Sequence, residues 1–244
     1  MERVLRFGEK VDGYEVRVLN ERDVRAAAGI LFLFALVAFM NSWLEGDFFL
    51  TRVFVVAFMI DFTIRVLVNP RYSPSMILAR LFVRGQEPEY VGAPQKRFAW
   101  SIGLALSAAM FFLLVVRNVV GPINLAICLT CLTLLFFESA FGICLACMVY
   151  DRLPGRTATH CPGDVCDASV VGRHERLGVA ELAIVVLFAL AIAEAASVIS
   201  TRSARAPTAL GAAANDACKV PDWAVAIGHA EKWKLHNGCA SSLR

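Results

Sequence analysis

Long apolar runs alternate with short polar segments along the 244 residues of the chain. Each run is about as long as the ~20 residues that a helix needs to cross the hydrocarbon core of a bilayer. The pattern therefore predicts an all-α fold, a polytopic membrane helical bundle with four core transmembrane helices and a fifth. The runs span residues 26–44, 48–68, 98–116, 122–141 and 178–200.

The polar segments divide the chain into five parts. We expect the tail to be poorly ordered, because small and polar residues cannot bury enough apolar surface to fold. The parts are an N-terminal segment (1–25), the four-helix membrane core (26–149), a polar loop with cysteines (150–177), the fifth helix (178–200) and the tail (201–244).

Local signals indicate where helices begin and end. Asn20 is expected to cap the first helix, and Pro122 suits the first position of the fourth. Residues 75–84 follow a proline-rich turn and have an amphipathic pattern. That pattern predicts a short helix lying flat on the membrane surface.

The distribution of arginine and lysine predicts the orientation of the bundle. These residues are abundant in the N-terminal segment and in the loops 69–97 and 150–177, whereas the turns 45–47 and 117–118 hold at most one arginine. Cytoplasmic loops carry an excess of such residues. We therefore expect the three basic segments in the cytoplasm and the tail outside, although the tail's own basic residues argue against its placement.

Composition limits the partners of the chain. It is 58% hydrophobic and 18% charged, with a formal net charge of only +3. We therefore expect the lipid bilayer as its environment and no nucleic-acid partner. No quinone-specific or cofactor-specific motif is present, so no cofactor is expected. The first ten residues lack the apolar core of a cleavable signal, so the first run is expected to direct insertion.

Cys144 and Cys147 form a Cys-x-x-Cys pair at the end of the fourth run. This spacing lets two sulfurs cycle between dithiol and disulfide, or supply half of a tetrahedral zinc site. Simple packing of two small residues is a third interpretation. In the redox interpretation, Cys144 is the attacking or sulfur-accepting thiol and Cys147 the resolving one.

The remaining cysteines lie in three different settings. Cys161 and Cys166 are in the polar loop, where they predict either a shuttle pair for dithiol exchange or, together with the first pair, a zinc site of imperfect spacing. Two others form a pair inside the fourth run and are expected to pack there, and two in the tail can form a disulfide if the tail is outside. These are Cys128 with Cys131, and Cys218 with Cys239.

Charged residues inside the runs are costly unless they are paired. Asp61 and Arg65 are spaced i and i+4, so they share a helix face, and Glu138 is expected at similar depth. We predict a cluster of these three, either purely structural or an anion or proton site. Helical phase points Glu138 away from Cys144, unless Gly142 breaks the helix.

Four motifs follow one another at residues 18–29, 61–74, 96–99 and 138–147. Together they resemble an uncharacterised bacterial family of four-helix integral membrane proteins, a "domain of unknown function". The resemblance covers about residues 15–150 and implies a four-helix core with a Gly-x-Cys-x-x-Cys motif at its last helix. It implies a multi-pass protein of the bacterial cytoplasmic membrane but no activity.

Two functional hypotheses follow, and both leave open whether the protein is an enzyme. The first is a thiol/disulfide or sulfur-handling membrane protein whose partners are thioredoxin-like or sulfur-carrier proteins. The second is a small non-enzymatic transporter or assembly factor. In it the Asp61, Arg65 and Glu138 cluster binds an anion or gates a path, and the loop cysteines hold zinc.

Overall fold

The computed structural model describes residues 7–11, 16–152, 178–205, 218, 220–236 and 239. Over these residues the chain is an all-α helical bundle with one minor pair of strands. In chain order the elements are β1 (Val18–Asn20), α1 (Glu21–Glu45), α2 (Phe49–Thr63), α3 (Pro74–Phe82), β2 (Tyr90–Gly92), α4 (Ala93–Met110), α5 (Pro122–Phe136), α6 (Leu145–Asp151), α7 (Val179–Arg205), α8 (Asp222–Ala226) and α9 (Ala230–His236).

Three of the helices continue into π-helical turns that extend their length. These turns are Ile64–Val68 after α2, Phe111–Val116 after α4 and Phe137–Phe141 after α5. A π turn widens the helix locally and is often found at functional sites. Two of the three carry charged side chains that face the protein interior, Arg65 and Glu138.

Four of the described helices are long and apolar enough to cross a membrane, by length and composition. They are Glu21–Glu45, Ala93–Val116, Pro122–Phe141 and Val179–Thr201. The segment predicted as the second span, α2 with its π turn, is not among the four. It contains Arg52, Asp61 and Arg65, and the last two are buried in protein.

Small residues let α1 lie close to its neighbours. The side chain of Asn20 accepts a hydrogen bond from the Arg22 N–H, which confirms the predicted cap. Four alanines along α1 are buried, and the core continues through Phe58, Phe62 and Trp100. A Cβ at Gly103 would lie 2.5 Å from Phe62 Cε1. Glycine at this position therefore permits the contact between α2 and α4.

The described part of the N-terminal segment and the loop 69–97, both rich in arginine, meet at one end of the bundle, here called the basic end. β1 pairs antiparallel with β2, with Val18 opposite Gly92, and this pairing joins the N-terminal segment to the entry of α4. Arg71 and Arg80 both form ion pairs with Glu181 at the start of α7. Loop 69–89, the strand pair and the beginning of α7 therefore share this end.

The opposite end, here called the tail end, holds the turns after α1 and α4 together with α8 and α9. Lys232 donates a hydrogen bond to the Leu44 carbonyl, and the His229 ring stacks on Trp43 with centroids 4.0 Å apart. A disulfide joins Cys218 to Cys239. The described residues of the tail include two short helices, and α9 lies against α1.

Candidate functional site

Gly142 ends the fourth long helix and redirects the chain. Its φ of 68° lies in the left-handed region, which is unfavourable for residues with a Cβ. The Gly142 N–H donates to the Glu138 carbonyl at 3.1 Å, as in helix C-terminal motifs closed by glycine. A Cβ here would also lie 3.1 Å from the Arg25 guanidinium. Conformation and space therefore both favour glycine at this break.

The break is followed at once by the Cys-x-x-Cys pair. Cys144 caps α6, and its Sγ accepts a hydrogen bond from the Cys147 N–H at 3.3 Å. The two cysteines are joined by a disulfide, with Cα atoms 5.1 Å apart. Both are half-buried. α6 is held against α4, where the Phe98 and Tyr150 rings lie 5.3 Å apart.

A cavity of about 70 Å³ lies among α6, α4, α2, α1 and the end of α5. Its walls are mainly apolar, and its polar and sulfur-bearing residues are Arg65, Cys131, Glu138 and Cys144. Helical phase alone predicted that Glu138 and Cys144 point in different directions. Because Gly142 breaks the helix, both residues border the same cavity.

A buried trio of charges stands beside this cavity. The Lys96 ammonium lies 2.6 Å from Glu138 Oε1 and 2.9 Å from Glu21 Oε2. The three side chains are only 5%, 12% and 10% exposed, in the order Lys96, Glu138, Glu21. One ammonium and two carboxylates sum to a formal charge of −1. Burial disfavours such an excess charge unless it is compensated or neutralised.

Asp61 and Arg65 form a second buried polar group, which links α2 to α3. Arg65 Nε donates to Asp61 Oδ2 at 2.8 Å. Ser73 Oγ and the Ser75 N–H donate to Asp61 Oδ1 at 2.7 and 2.9 Å. The Arg65 guanidinium also lies over the Phe62 and Trp100 rings, 4.8 and 5.1 Å from their centroids. This group, here called the α2–α3 clamp, is neutral and closely hydrogen-bonded.

The predicted cluster of Asp61, Arg65 and Glu138 is therefore only partly correct. Asp61 pairs with Arg65 as expected, but the ion-pair partner of Glu138 is Lys96. Arg65 and Glu138 line the same cavity and interact electrostatically. Lys96 lies in the first turn of α4. The prediction used only the spacing of charged residues within α2 and α5, and that spacing does not indicate a partner from α4.

The site contains residues that sequence reasoning did not assign to it. These are Glu21, Ser73, Ser75 and Lys96. Glu21, Ser73 and Lys96 lie within motifs that carry the family resemblance, which is the signal that could have found them, and Ser75 directly follows one of these motifs. Spacing alone does not reveal them, because they lie 8 to 75 residues from their acidic or basic partners in sequence.

The structure describes only some of the other cysteines that the sequence analysis considered. Cys128 and Cys131 are free, half-buried thiols of α5, and Cys131 borders the cavity. Cys161 and Cys166 lie outside the described residues. Within the part of the chain that is described, no group of three or more His, Cys, Asp or Glu side chains could hold a metal ion.

Comparison with known proteins places the chain in a family without an assigned activity. No curated protein and no solved structure matches the sequence. The model of the family described as "Domain of unknown function (DUF4395)" matches residues 19–154. This region holds α1 to α6, the α2–α3 clamp, the buried trio and the Cys-x-x-Cys pair. The chain therefore belongs to the DUF4395 family.

Proposed function

We propose that this protein is a membrane thiol–disulfide exchange protein in which Cys144 and Cys147 cycle between dithiol and disulfide. The observation that carries the proposal is the disulfide-bonded Cys-x-x-Cys at the start of α6, with Cys144 bordering a cavity that also contains Glu138. The Cys147 N–H donates to Cys144 Sγ. A hydrogen bond to sulfur favours the thiolate, which is the attacking species.

The chemistry is a two-step exchange with a disulfide acceptor. The Cys144 thiol loses its proton, and its thiolate attacks one acceptor sulfur while the other acceptor sulfur leaves as a thiolate and takes up a proton. The Cys147 thiolate then attacks Cys144 Sγ and releases the first acceptor sulfur, which is also protonated. Two electrons pass to the acceptor, and a dithiol protein of the thioredoxin-like class reduces the new disulfide.

We further propose that the basic end faces the cytoplasm of a bacterial cell. The arginine content of its segments supports this orientation. Durable structural disulfides are rare in the reducing cytoplasm, where most disulfides are catalytic or redox-sensing. A disulfide at Cys144 and Cys147 then belongs to an exchange cycle. Cys218 and Cys239, at the tail end, would lie in an oxidising compartment that preserves their bond.

Cys161 and Cys166 enter the proposal as the shuttle pair that carries reducing equivalents to or from Cys144 and Cys147. Sulfur transfer is a variant of the same chemistry, in which Cys144 accepts sulfur from a sulfur-carrier protein. The transporter hypothesis has less support. The charges of Asp61 and Arg65 neutralise each other, and Ser73 and Ser75 already occupy their hydrogen-bonding positions.

A redox titration tests the proposal. The full-length protein in lipid nanodiscs is equilibrated with mixtures of reduced and oxidised dithiothreitol or glutathione, and each cysteine is scored by differential alkylation and mass spectrometry. We expect Cys144 and Cys147 to titrate together with a potential of about −270 to −120 mV, the range of thiol–disulfide oxidoreductases. Cys128 and Cys131, the matched pair inside α5, should stay reduced throughout.

Two results would contradict the proposal. One is a Cys144–Cys147 pair that remains reduced at every potential in this range. The other is stoichiometric zinc that is lost on Cys144→Ser, because thiolates that ligate zinc are not available for exchange. Metal analysis of the same preparation therefore accompanies the titration.

A further inference from the structure

From the buried trio and the cavity, we infer that Glu138 is the group that accepts a proton from Cys144 and returns it during exchange. The inference rests on the proposed thiol function and assigns a catalytic residue to it. Three observations carry it, and they concern the path of the chain at Gly142, the charge of the trio and the space between Glu138 and Cys144.

The first observation is the path of the chain. In an unbroken helix, residues 138 and 144 would point about 120° apart at 100° per residue, facing different neighbours. The left-handed Gly142 ends the helix, and Cys144 begins α6 with an extended backbone. Both residues consequently line the wall of one cavity. The glycine thus brings a carboxylate and a thiol to the same enclosed space.

The second observation is the charge of the trio. Lys96 compensates one carboxylate, and the second adds a formal charge of −1 in a buried location. Uptake of one proton by either carboxylate makes the trio itself neutral. A carboxylate that can take up a proton and give it back is what a proton donor and acceptor for a thiol requires.

Two cations lie near the trio, one on α1 and one on the turn after α2. On α1, Arg25 interacts electrostatically with Glu21. On the turn after α2, Arg65 interacts with Glu138 but is already paired with Asp61 at 2.8 Å. The titratable groups that face Glu138 are thus Glu21 and Arg25 on α1, Arg65 after α2, Lys96 on α4 and Cys144 before α6.

The third observation is the space between the two groups. The cavity of about 70 Å³ exceeds the ~15 Å³ that one water molecule needs. The cavity that both residues line therefore has room for a water molecule, and a general acid or base can act on its partner through one water. As the Cys144 thiolate forms, its proton moves to the Glu138 carboxylate. When the disulfide is reduced again, the proton returns to the departing Cys144 sulfur.

The test measures how the reactivity of Cys144 depends on pH. The full chain carries Cys147→Ser, so that Cys144 is the one thiol left of the pair. This protein is chemically reduced and embedded in lipid nanodiscs. The rate of alkylation of Cys144 by iodoacetamide is followed by mass spectrometry between pH 5 and pH 9. The variants are Glu138→Gln, Glu138→Asp and, as a matched control, Glu181→Gln. Glu181 is also buried and paired at the basic end, but it is not part of the cavity wall.

We expect two inflections in the parent profile, because a carboxyl and a thiol that interact titrate as a coupled pair. Glu138→Gln should show one inflection, Glu138→Asp should keep two, and Glu181→Gln should superimpose on the parent. With Cys147 restored, Glu138→Gln should slow reduction of oxidised glutathione about 100-fold, a typical contribution of a general acid or base.

The inference is overturned if Glu138→Gln retains both inflections or if its exchange rate stays within about twofold of the wild-type rate. A purely electrostatic role predicts faster alkylation in Glu138→Gln, because removal of a nearby carboxylate favours the thiolate. Glu138→Gln leaves Glu21 in place as an ion-pair partner of Lys96. Since the thiol is reduced chemically, the profile reports on proton transfer whether or not the pair is oxidised in cells. The redox titration separately tests the exchange function.

Discussion

Gly142 shows how a single residue determines the geometry of the site. Its left-handed backbone stops α5 with its π turn, and its missing side chain leaves space for the Arg25 guanidinium. These two features bring Cys144 back to the cavity beside Glu138. Substitution at this position should therefore affect both the stability of the protein and the reactivity of the thiol.

Gly142→Ala should lower the free energy of unfolding by about 1–2 kcal/mol, the cost of a left-handed conformation for a residue with a Cβ. Unfolding in mixed micelles measures this change. Gly121→Ala is the matched control, because Gly121 has an extended backbone and a Cβ there meets no atom within 4 Å. Equal stability of the two variants would contradict the account of the break at Gly142.

At the scale of the elements, the α2–α3 clamp joins two helices through buried charges. Asp61 receives hydrogen bonds from Arg65, Ser73 and Ser75, so the end of α2 and the start of α3 are held together by one carboxylate. An arginine left in this location without its carboxylate would be an uncompensated buried charge. The clamp is accordingly a structural feature that depends on both partners.

Asp61→Asn should destabilise the protein by about 3–5 kcal/mol, the usual cost of removing one partner from a buried ion pair. Glu231→Gln provides the control, since Glu231 pairs with Lys234 on the surface and is 72% exposed. That change should cost less than about 1 kcal/mol. Unfolding in mixed micelles measures the free energy of unfolding of both variants. Equal values for Asp61→Asn and Glu231→Gln would contradict the structural role of the clamp.

The sequence predicted the elements better than their contacts. Apolar runs located the long helices, and local chemistry located the cap at Asn20 and the start of α5 at Pro122, because these signals act over a few residues. The amphipathic segment after Pro74 was expected at the membrane surface. In the structure Met76 and Ile77 of α3 are buried in the protein. Periodicity identifies the apolar face of a helix but not the partner that covers it.

The same limit applies to the site. Asp61 and Arg65 lie one helical turn apart, so their spacing was sufficient to predict the pair. Lys96 and Glu138 are 42 residues apart, and their contact depends on how α4 packs beside the end of α5. The cavity likewise exists only because five segments come together. Tertiary packing, which a single sequence does not display, therefore decided the partner of Glu138.

At the scale of the whole molecule, the two ends of the bundle differ in chemistry. The basic end contains the arginine-rich segments, the buried trio and the Cys144–Cys147 pair. The tail end contains the short turns, the Cys218–Cys239 disulfide and the tail helices. In the membrane orientation proposed above, the two disulfides lie on opposite sides.

Docking of the tail on α1 should depend on pH. Burial against Trp43 lowers the pKa of His229, and the nearby Lys232 ammonium lowers it further. The folded state therefore favours the neutral imidazole. Docking should be complete above the ordinary imidazole value of about 6.5 and should weaken as pH falls below it.

Hydrogen exchange of residues 222–236 at pH 7.5 and pH 5.0, corrected for the intrinsic rates, measures this effect. We expect lower protection at pH 5.0 in the wild type. In His229→Phe, which keeps an aromatic ring but cannot titrate, protection should be the same at both values. Equal protection of the wild type at both values would contradict the role of His229.

Differential thiol trapping in growing bacterial cells tests the central claim most directly. Cells are quenched in acid, free thiols are alkylated, disulfides are reduced and labelled with a second reagent, and each cysteine is quantified by mass spectrometry. The account predicts a mixture of oxidised and reduced Cys144 and Cys147, beside reduced Cys128 and Cys131 and oxidised Cys218 and Cys239. A Cys144–Cys147 pair that is entirely reduced under all growth conditions would contradict it.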